Sequence, residues 1–260
     1  MIQPSDPAPS PGVFSTGRVA LTLGFLRSLI IYHNPRAQRR WRAFYKSVLE
    51  PGALAFDVGA HVGTRSRAMH TAGARVVAIE PQAPFSTFLK KTMPRDITVL
   101  PVALGREAAQ ATLAVSSRHP TVSTLSRDFV EDGKSAPGFG HVRWDGAQEV
   151  QVVTLDDLIA QFGPPHYIKI DVEGGEAEVL AGLSHAVPLI SVEYLPAFPT
   201  LSQRLVDLLA DAGNDRFNVV RGESGRFLWP DWRDRTATKS WLAAESQDAT
   251  SGDLFARRLP

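Results

Sequence analysis

The run Tyr167-Ile-Lys-Ile-Asp-Val-Glu-Gly-Gly-Glu176 puts charge where a buried strand should carry none. Alternation along an extended chain sets Lys169, Asp171 and Glu173 on one face, and Ile168, Ile170 and Val172 on the other. A lysine in a central strand needs a partner. An ion cluster at the carboxyl end of such a strand sits where a ligand and a reacting group meet. A carboxylate there can take the proton of a weakly nucleophilic hydroxyl. Asp171 is the residue singled out for that role, with His61 second. For Lys169 and Glu173 the plainer reading is preferred: they neutralise each other and orient the next helix. Glu176 and Glu178 fall in that helix's first turn, where carboxylates suit the helix dipole, and Glu176 is read as structural.

A second constellation lies upstream. Ala55-Phe-Asp-Val-Gly-Ala-His-Val-Gly-Thr64 reads as a strand ending in Asp57, a turn containing Gly59, Ala60, His61 and Gly63, and then a helix. Open α/β sheets bind nucleotide-like ligands at such a turn, and its glycines let backbone approach the ligand closely. Arg75-Val-Val-Ala-Ile-Glu80 then ends a second strand on a carboxylate. The spacing is near the roughly 20 residues at which an acidic side chain reaches ribose hydroxyls.

The dinucleotide fingerprint G-x-G-x-x-G is absent, because Gly59-Ala-His-Val-Gly63 lacks its central glycine. Asp57 at the strand tip would also repel a diphosphate. S-adenosylmethionine carries a ribose, a sulfonium and an ammonium but no phosphate, so two carboxylates suit it. The cofactor site is therefore assigned to Asp57, Gly59, Ala60, His61, Gly63, Glu80, Pro81, Ala103 and Asp171.

These motifs resemble the FkbM-type methyltransferases. The resemblance rests on Phe56-Asp-Val-Gly-Ala-His-Val-Gly63, on Val77-Ala-Ile-Glu-Pro81, and above all on the K-x-D-x-E-G-x-E block from Lys169 to Glu176. The first two motifs are shared by many S-adenosylmethionine enzymes, whereas the third is fairly specific. The resemblance covers roughly Ala53 to Glu193. It implies a seven-stranded, Rossmann-like methyltransferase sheet and transfer to hydroxyls of sugars or polyketide-like natural products, with no particular acceptor. The chain departs from the pattern at His61, where the family more often has Asn.

Acceptor-side candidates are Glu173, Glu193 and Tyr194 at strand ends, and Thr124, Arg143 and Trp144 in a later segment that also holds His119, Thr121 and Ser123. Hydrogen-bonding side chains beside an aromatic wall are what sugar binding needs. No phosphate loop, no Ser/His/Asp elbow and no His-x-x-x-His pair occurs, and no metal ligands are assigned.

The elements that must position these residues follow from pattern. Short apolar runs read as strands at Leu54–Val58, Arg75–Glu80, Ile97–Ala103, Tyr167–Val172 and Leu189–Glu193, with helical stretches at Thr64–Ala72, Pro84–Met93 and Glu176–Leu183. Alternation of this kind predicts a doubly wound α/β fold, its mostly parallel sheet covered by helices on both faces. Residues 109–162 interrupt the rhythm as an insertion, and within it Ser116–Gly146 is read as a mobile lid over the acceptor. The tail 1–17 reads as disordered. Residues 18–50 read as two helices broken at Asn34-Pro35, and residues 51–260 as the main domain. A further helix is expected at Leu201–Ala212 and a strand near Phe217–Val220, with a final run at Asp253–Arg258 left unassigned. Trp229, Trp232 and Trp241 are read as packing residues.

Composition narrows the chemistry. The chain has 260 residues, a net charge of +1 and no cysteine. Thiolate metal sites, thiol nucleophiles and iron–sulfur clusters are excluded, leaving polar two-electron chemistry. Near-neutrality gives no nucleic-acid footprint over the domain as a whole. No run reaches the roughly 20 apolar residues that span a bilayer, so a cytoplasmic enzyme is expected, acting on a small molecule or glycan. The basic, apolar segment 18–46 could lie on an anionic membrane or cover a dimer partner, but packing on the core is preferred. A nicotinamide-dependent oxidoreductase and a non-catalytic methyltransferase-like protein are the rival readings.

Overall fold

The structure, a computed structural model, describes residues 23–25, 27, 29, 34–245 and 249–258. The tail expected at 1–17 and most of the helix expected before Asn34 lie outside the described residues.

The first complete helix is α1 (Pro35–Val48). Asn34 caps it, its side chain accepting from the amides of Arg36 (3.0 Å) and Ala37 (3.3 Å), and Pro35 takes the first position, where no amide is needed. Then come β1 (Leu54–Val58), α2 (Thr64–Thr71), β2 (Arg75–Ile79), α3 (Ala83–Thr92), β3 (Thr98–Leu100), β4 (Ala103–Leu104), β5 (Ala109–Val115), α4 (Arg127–Gly133), β6 (Gly146–Val153) and α5 (Leu155–Phe162). The chain continues through β7 (Tyr167–Ile170), α6 (Glu176–Ala181), β8 (Leu189–Tyr194), α7 (Pro199–Asp211), β9 (Arg216–Arg221), α8 (Arg235–Ala244) and β10 (Gly252–Arg257).

Seven strands form the main sheet in the order β3-β2-β1-β7-β8-β10-β9. The pairs among β3, β2, β1, β7 and β8 are parallel, and β10 runs antiparallel to both of its neighbours. Strand order reverses between β1 and β7, and that is where open sheets of this kind leave a crevice beyond the strand ends.

Alternating side chains of each strand feed two cores. Phe56, Ile168 and Ile190 pack with Leu158, Val179, Leu205 and Leu242 from α5 to α8. Ala55, Tyr167 and Phe255 pack with Trp41, Phe44, Met69 and Leu89 from α1 to α3. The sheet is thus doubly wound, with α1 supplying part of one layer. Of the three tryptophans read as packing residues, Trp229 is buried and Trp241 stands edge-on to it at 5.2 Å, while Trp232 packs on Phe227.

One expected strand divides. The run Ile97–Ala103 is split at Pro101, which has no amide to give to a ladder. Leu100 ends β3 in the main sheet, while Ala103 begins β4 of a separate three-stranded sheet, β4-β6-β5. The segment 109–162 is therefore built on a hairpin, Ala109 to Val115 paired with Gly146 to Val152. It is also stapled to the turn after β2. Gln82 donates to the Pro120 carbonyl at 2.9 Å, and Gln148 donates to that of Pro81 at 2.7 Å while accepting from the Ala83 amide at 3.1 Å. A lid free over its whole length does not fit those bonds.

Candidate active site

A cavity of about 660 Å³ opens beyond the ends of β1, β2 and β7. One lobe is built from the turns after β1 and β2. The Gly59 and Ala60 amides both donate to Ile79 O at 3.0 Å, closing the first turn onto the second strand. Gly59 has φ +79°, and a Cβ there would stand 1.8 Å from the carbonyl oxygen of Asp171. Only glycine lets β1 and β7 deliver their ends this close together.

Glu80 follows at the tip of β2, buried at 3% exposure. Its oxygens accept from the His61 and Gln82 amides, each at 2.8 Å. Burial still outweighs those bonds and pushes its pKa up to about 7. His61, at φ +49°, lays its ring 4.3 Å from that of Phe85. Burial lowers its pKa to about 4, so it is neutral near pH 7.

The floor comes from β7. The strand ends at Ile170, two residues earlier than its pattern suggested: Asp171 still donates its amide to Val58 O, and the chain then bends. Glu173 (φ +57°) and Gly174 (φ +88°) make that bend. Glu176 holds it from the start of α6, one oxygen accepting from the amides of Val172 (3.0 Å) and Gly174 (3.3 Å). Glu176 is structural, as its position at the helix start suggested.

Lys169 is 3% exposed, and its ammonium lies 2.9 Å from Asp171 and 3.9 Å from Asp57. Its partner is Asp171, where the sequence pattern had favoured Glu173. Burial alone would discharge this ammonium, but Asp171, Asp57 and Asp253 more than offset that and raise its pKa. Burial likewise works against the Asp171 carboxylate, yet Lys169 prevails and lowers its pKa.

Asp171, Glu173 and Glu193 each offer an oxygen within 4.8 Å of the others'. One ammonium cannot keep three such groups ionised. Burial first, and then Asp171, push Glu173 and Glu193 well above the carboxylate range. Their oxygens are of the type that holds hydroxyl hydrogens or a hard cation.

The second lobe was not read from the sequence. Arg65, from the first turn of α2, lies over Trp41 with its guanidinium carbon 3.2 Å from the ring centre. It reaches Glu223 at 3.2 Å and Asp253 at 3.4 Å, and Trp41 donates its indole N–H to Glu223 at 2.6 Å. Asp253 of β10 sits opposite Glu193 of β8. Four elements thus converge from far apart along the chain. Charged side chains next to Gly222 and Gly252 are the only signal the sequence offers for this lobe.

The structure brings together Gly59, Ala60, His61, Glu80, Pro81, Ala103, Asp171, Glu173 and Glu193 on the cavity wall. It does not bring the other expected residues there. Asp57 is fully buried behind the wall, accepting from the Ser66 hydroxyl at 2.5 Å. Gly63 faces Met93 and Leu89 instead. The Tyr194 ring packs on Trp241, Thr124 bonds the Ser126 amide, and Arg143 bonds the carbonyls of Gly140 and Val142. Trp144 donates to Val122 O and lies against Phe129. Thr121 and Ser123, from the same segment, do line the cavity.

The family model described as methyltransferase FkbM domain matches residues 57–216. The chain is similar to the hexuronic acid methyltransferase AglP of Haloferax volcanii, 26% identical over 147 residues that make up 55% of this chain and 54% of that protein. It therefore spans about half the length of that curated relative. Among solved structures it is similar to a TehB-like SAM-dependent methyltransferase from Corynebacterium glutamicum (TM-score 0.48, 10% identity, 94% of this chain and 99% of that one). It is also similar to an O-methyltransferase from Bacillus cereus in complex with SAH (TM-score 0.46, 10% identity, 95% and 93%).

Proposed function

The chain belongs to the FkbM methyltransferase family, an S-adenosylmethionine-dependent family, and from that premise we propose that it transfers a methyl group to a hydroxyl oxygen of a sugar or a natural-product small molecule. The observation that carries this reading is the place of Asp171. It stands at the junction of the two lobes, against the backbone of Gly59 and beside Glu193. Similarity to a hexuronic acid methyltransferase supports a sugar as the acceptor class.

The cofactor fits the first lobe on the lobe's own features. Glu80 is a buried carboxylate with lone pairs left over for ribose hydroxyls. The Gly59 turn brings the end of β7 and Asp171 up against this lobe. When bound, S-adenosylmethionine supplies an electrophilic methyl group on a sulfonium. The ionised Asp171 favours positive charge there, and the neutral His61 adds none.

Asp171 then accepts the acceptor's hydroxyl hydrogen. As the methyl group is delivered to the hydroxyl oxygen, the proton released from that oxygen would pass to Asp171. Lys169 keeps Asp171 ionised until that moment. The second lobe holds the rest of the acceptor, with Arg65 donating and Glu223 and Asp253 accepting.

A nicotinamide site is the poorer reading, because His61 fills the place where a pyrophosphate needs glycine. The test is incubation with methyl-labelled S-adenosylmethionine and a panel of neutral, acidic and amino sugars. Label recovered as an O-methyl ether is expected. Label found only on nitrogen or carbon would contradict the reading.

A further inference from the structure

Charge that the cavity does not use is gathered on one helix. α1 turns Ala37, Trp41, Phe44 and Tyr45 into the core and leaves Arg36, Arg39, Arg40, Arg42 and Lys46 exposed. The helix contains no acidic residue. Among the described residues, none of these five side chains forms an ion pair. In a chain whose net charge is +1, five unpaired cations on one helix face are a segregated patch, not a consequence of overall composition.

The patch has a seat beside it. A cleft of about 230 Å³ between α1 and α2 is lined by Pro35, Gln38, Arg39, Arg42, Arg67 and Thr71, among others. The end nitrogens of Arg67 are taken by the carbonyl (3.0 Å) and hydroxyl (2.9 Å) of Thr92. Its Nε is buried with no hydrogen-bond partner. Three guanidinium groups therefore border one cleft with no carboxylate in its lining.

The direction of α1 gives the patch an address. Five residues after its end the chain starts β1, so the helix finishes at the edge of the sheet remote from the cavity. Trp41, in its second turn, donates to Glu223 on the cavity wall, whereas the arginine-lined cleft lies beside Thr71 and the Arg67–Thr92 contact at the ends of α2 and α3. A 14-residue helix is about 20 Å long, enough to separate the two edges.

We propose that the outer face of α1 docks the protein on an anionic lipid surface. A headgroup phosphate sits between Arg39, Arg42 and Arg67. A lipid surface fits better than nucleic acid on two counts. The aromatic residues of α1 are all buried, so it offers no platform for stacking bases. Upstream, Leu23 is 61% exposed, while its neighbour Phe25 is anchored on Phe85 and Phe88. A headgroup layer rewards both basic and apolar residues, whereas a phosphate backbone rewards only the first.

This inference stands apart from the catalytic reading, so its test needs no acceptor. The full chain is sedimented with vesicles of phosphatidylcholine alone, or mixed with phosphatidylglycerol, at low and high salt. Binding to the acidic vesicles only, relieved by salt, is expected. Each cation removed should weaken partitioning roughly fivefold. The pair Arg39→Gln and Arg42→Gln should cost more than Arg36→Gln with Arg40→Gln, since only the first pair borders the cleft. Unchanged thermal midpoints confirm that the variants are folded. No sedimentation with acidic vesicles at low salt overturns the proposal. So does full displacement by a short RNA duplex, or by millimolar inorganic phosphate at constant ionic strength, which would mark the site as one for nucleic acid or a free anion. Equal losses in the two variant pairs would remove the headgroup seat.

Discussion

Asp171 meets two demands that pull in opposite directions. A proton acceptor must be ionised, and a residue between two strand ends is largely out of water. Lys169 at 2.9 Å reconciles them, with Asp57 behind it as the second carboxylate. Replacing Asp171 by Asn keeps shape and hydrogen bonding but removes the proton acceptor. Asp171→Asn should stay folded, because Asp57 and Asp253 still face the ammonium, and should still bind S-adenosylmethionine. Turnover should fall about 10²-fold or more. Near-normal turnover in a folded variant would show that Asp171 is not the proton acceptor. Residues of this kind were legible in the sequence because strand-end positions announce themselves: Glu80, Gly59 and Asp171 each close an apolar run. Asp57 was misplaced for the same reason. Its strand position is right, but its side chain turns away from the turn's ligand side toward Ser66 and Lys169.

The elements were legible wherever one periodicity held for a whole segment. β1, β2, β7 and β8 and the helices between them follow from apolar runs and their punctuation. What the pattern missed is what a single residue decides, such as Pro101 dividing one strand between two sheets. The second lobe was missed for another reason. Trp41, Arg65, Glu223 and Asp253 meet only through packing, and no local spacing records a contact between residues so far apart.

The insertion has two parts with different attachments. Its base is tied to the Glu80 turn through Pro120 and Gln148. Its outer part, residues 127–145, rests on rings: Phe139 stands 5.6 Å from Phe129 and 5.4 Å from Phe198. Phe139→Ala should therefore loosen the outer part alone, since such aromatic pairs contribute about 0.5–1.5 kcal/mol each beyond their burial. Limited proteolysis should cut faster within 127–145, while affinity for S-adenosylhomocysteine changes less than about twofold (under ~0.4 kcal/mol). Equal loss of affinity would show that the outer part helps to hold the cofactor.

At the scale of the whole molecule, charge is sorted. Carboxylates line the cavity in excess of Arg65 and Lys169, and uncompensated arginines face outward from α1. Overall composition concealed this, because the 28 basic and 27 acidic residues of the whole chain cancel to +1. The sorting gives cofactor binding a pH signature. Burial holds Glu80 near a pKa of about 7 in the free protein, whereas ribose hydroxyls donating to it favour its ionised form. Binding must then lower that pKa and release a proton, so affinity rises with pH up to about 7 and levels off above it. Isothermal titration of S-adenosylhomocysteine from pH 5.5 to 8, on the native protein and on Glu80→Gln, reads this directly. Both proteins share the ligand's own titration, so the difference between them reports Glu80 alone. Expected are clear binding by the native protein, no binding of NAD or NADP, and a variant that binds at least about tenfold more weakly (~1.4 kcal/mol) with the Glu80 component of the pH slope gone. Equal affinity and equal slope in the two proteins, or preference for a nicotinamide dinucleotide, would contradict an S-adenosylmethionine site built on Glu80.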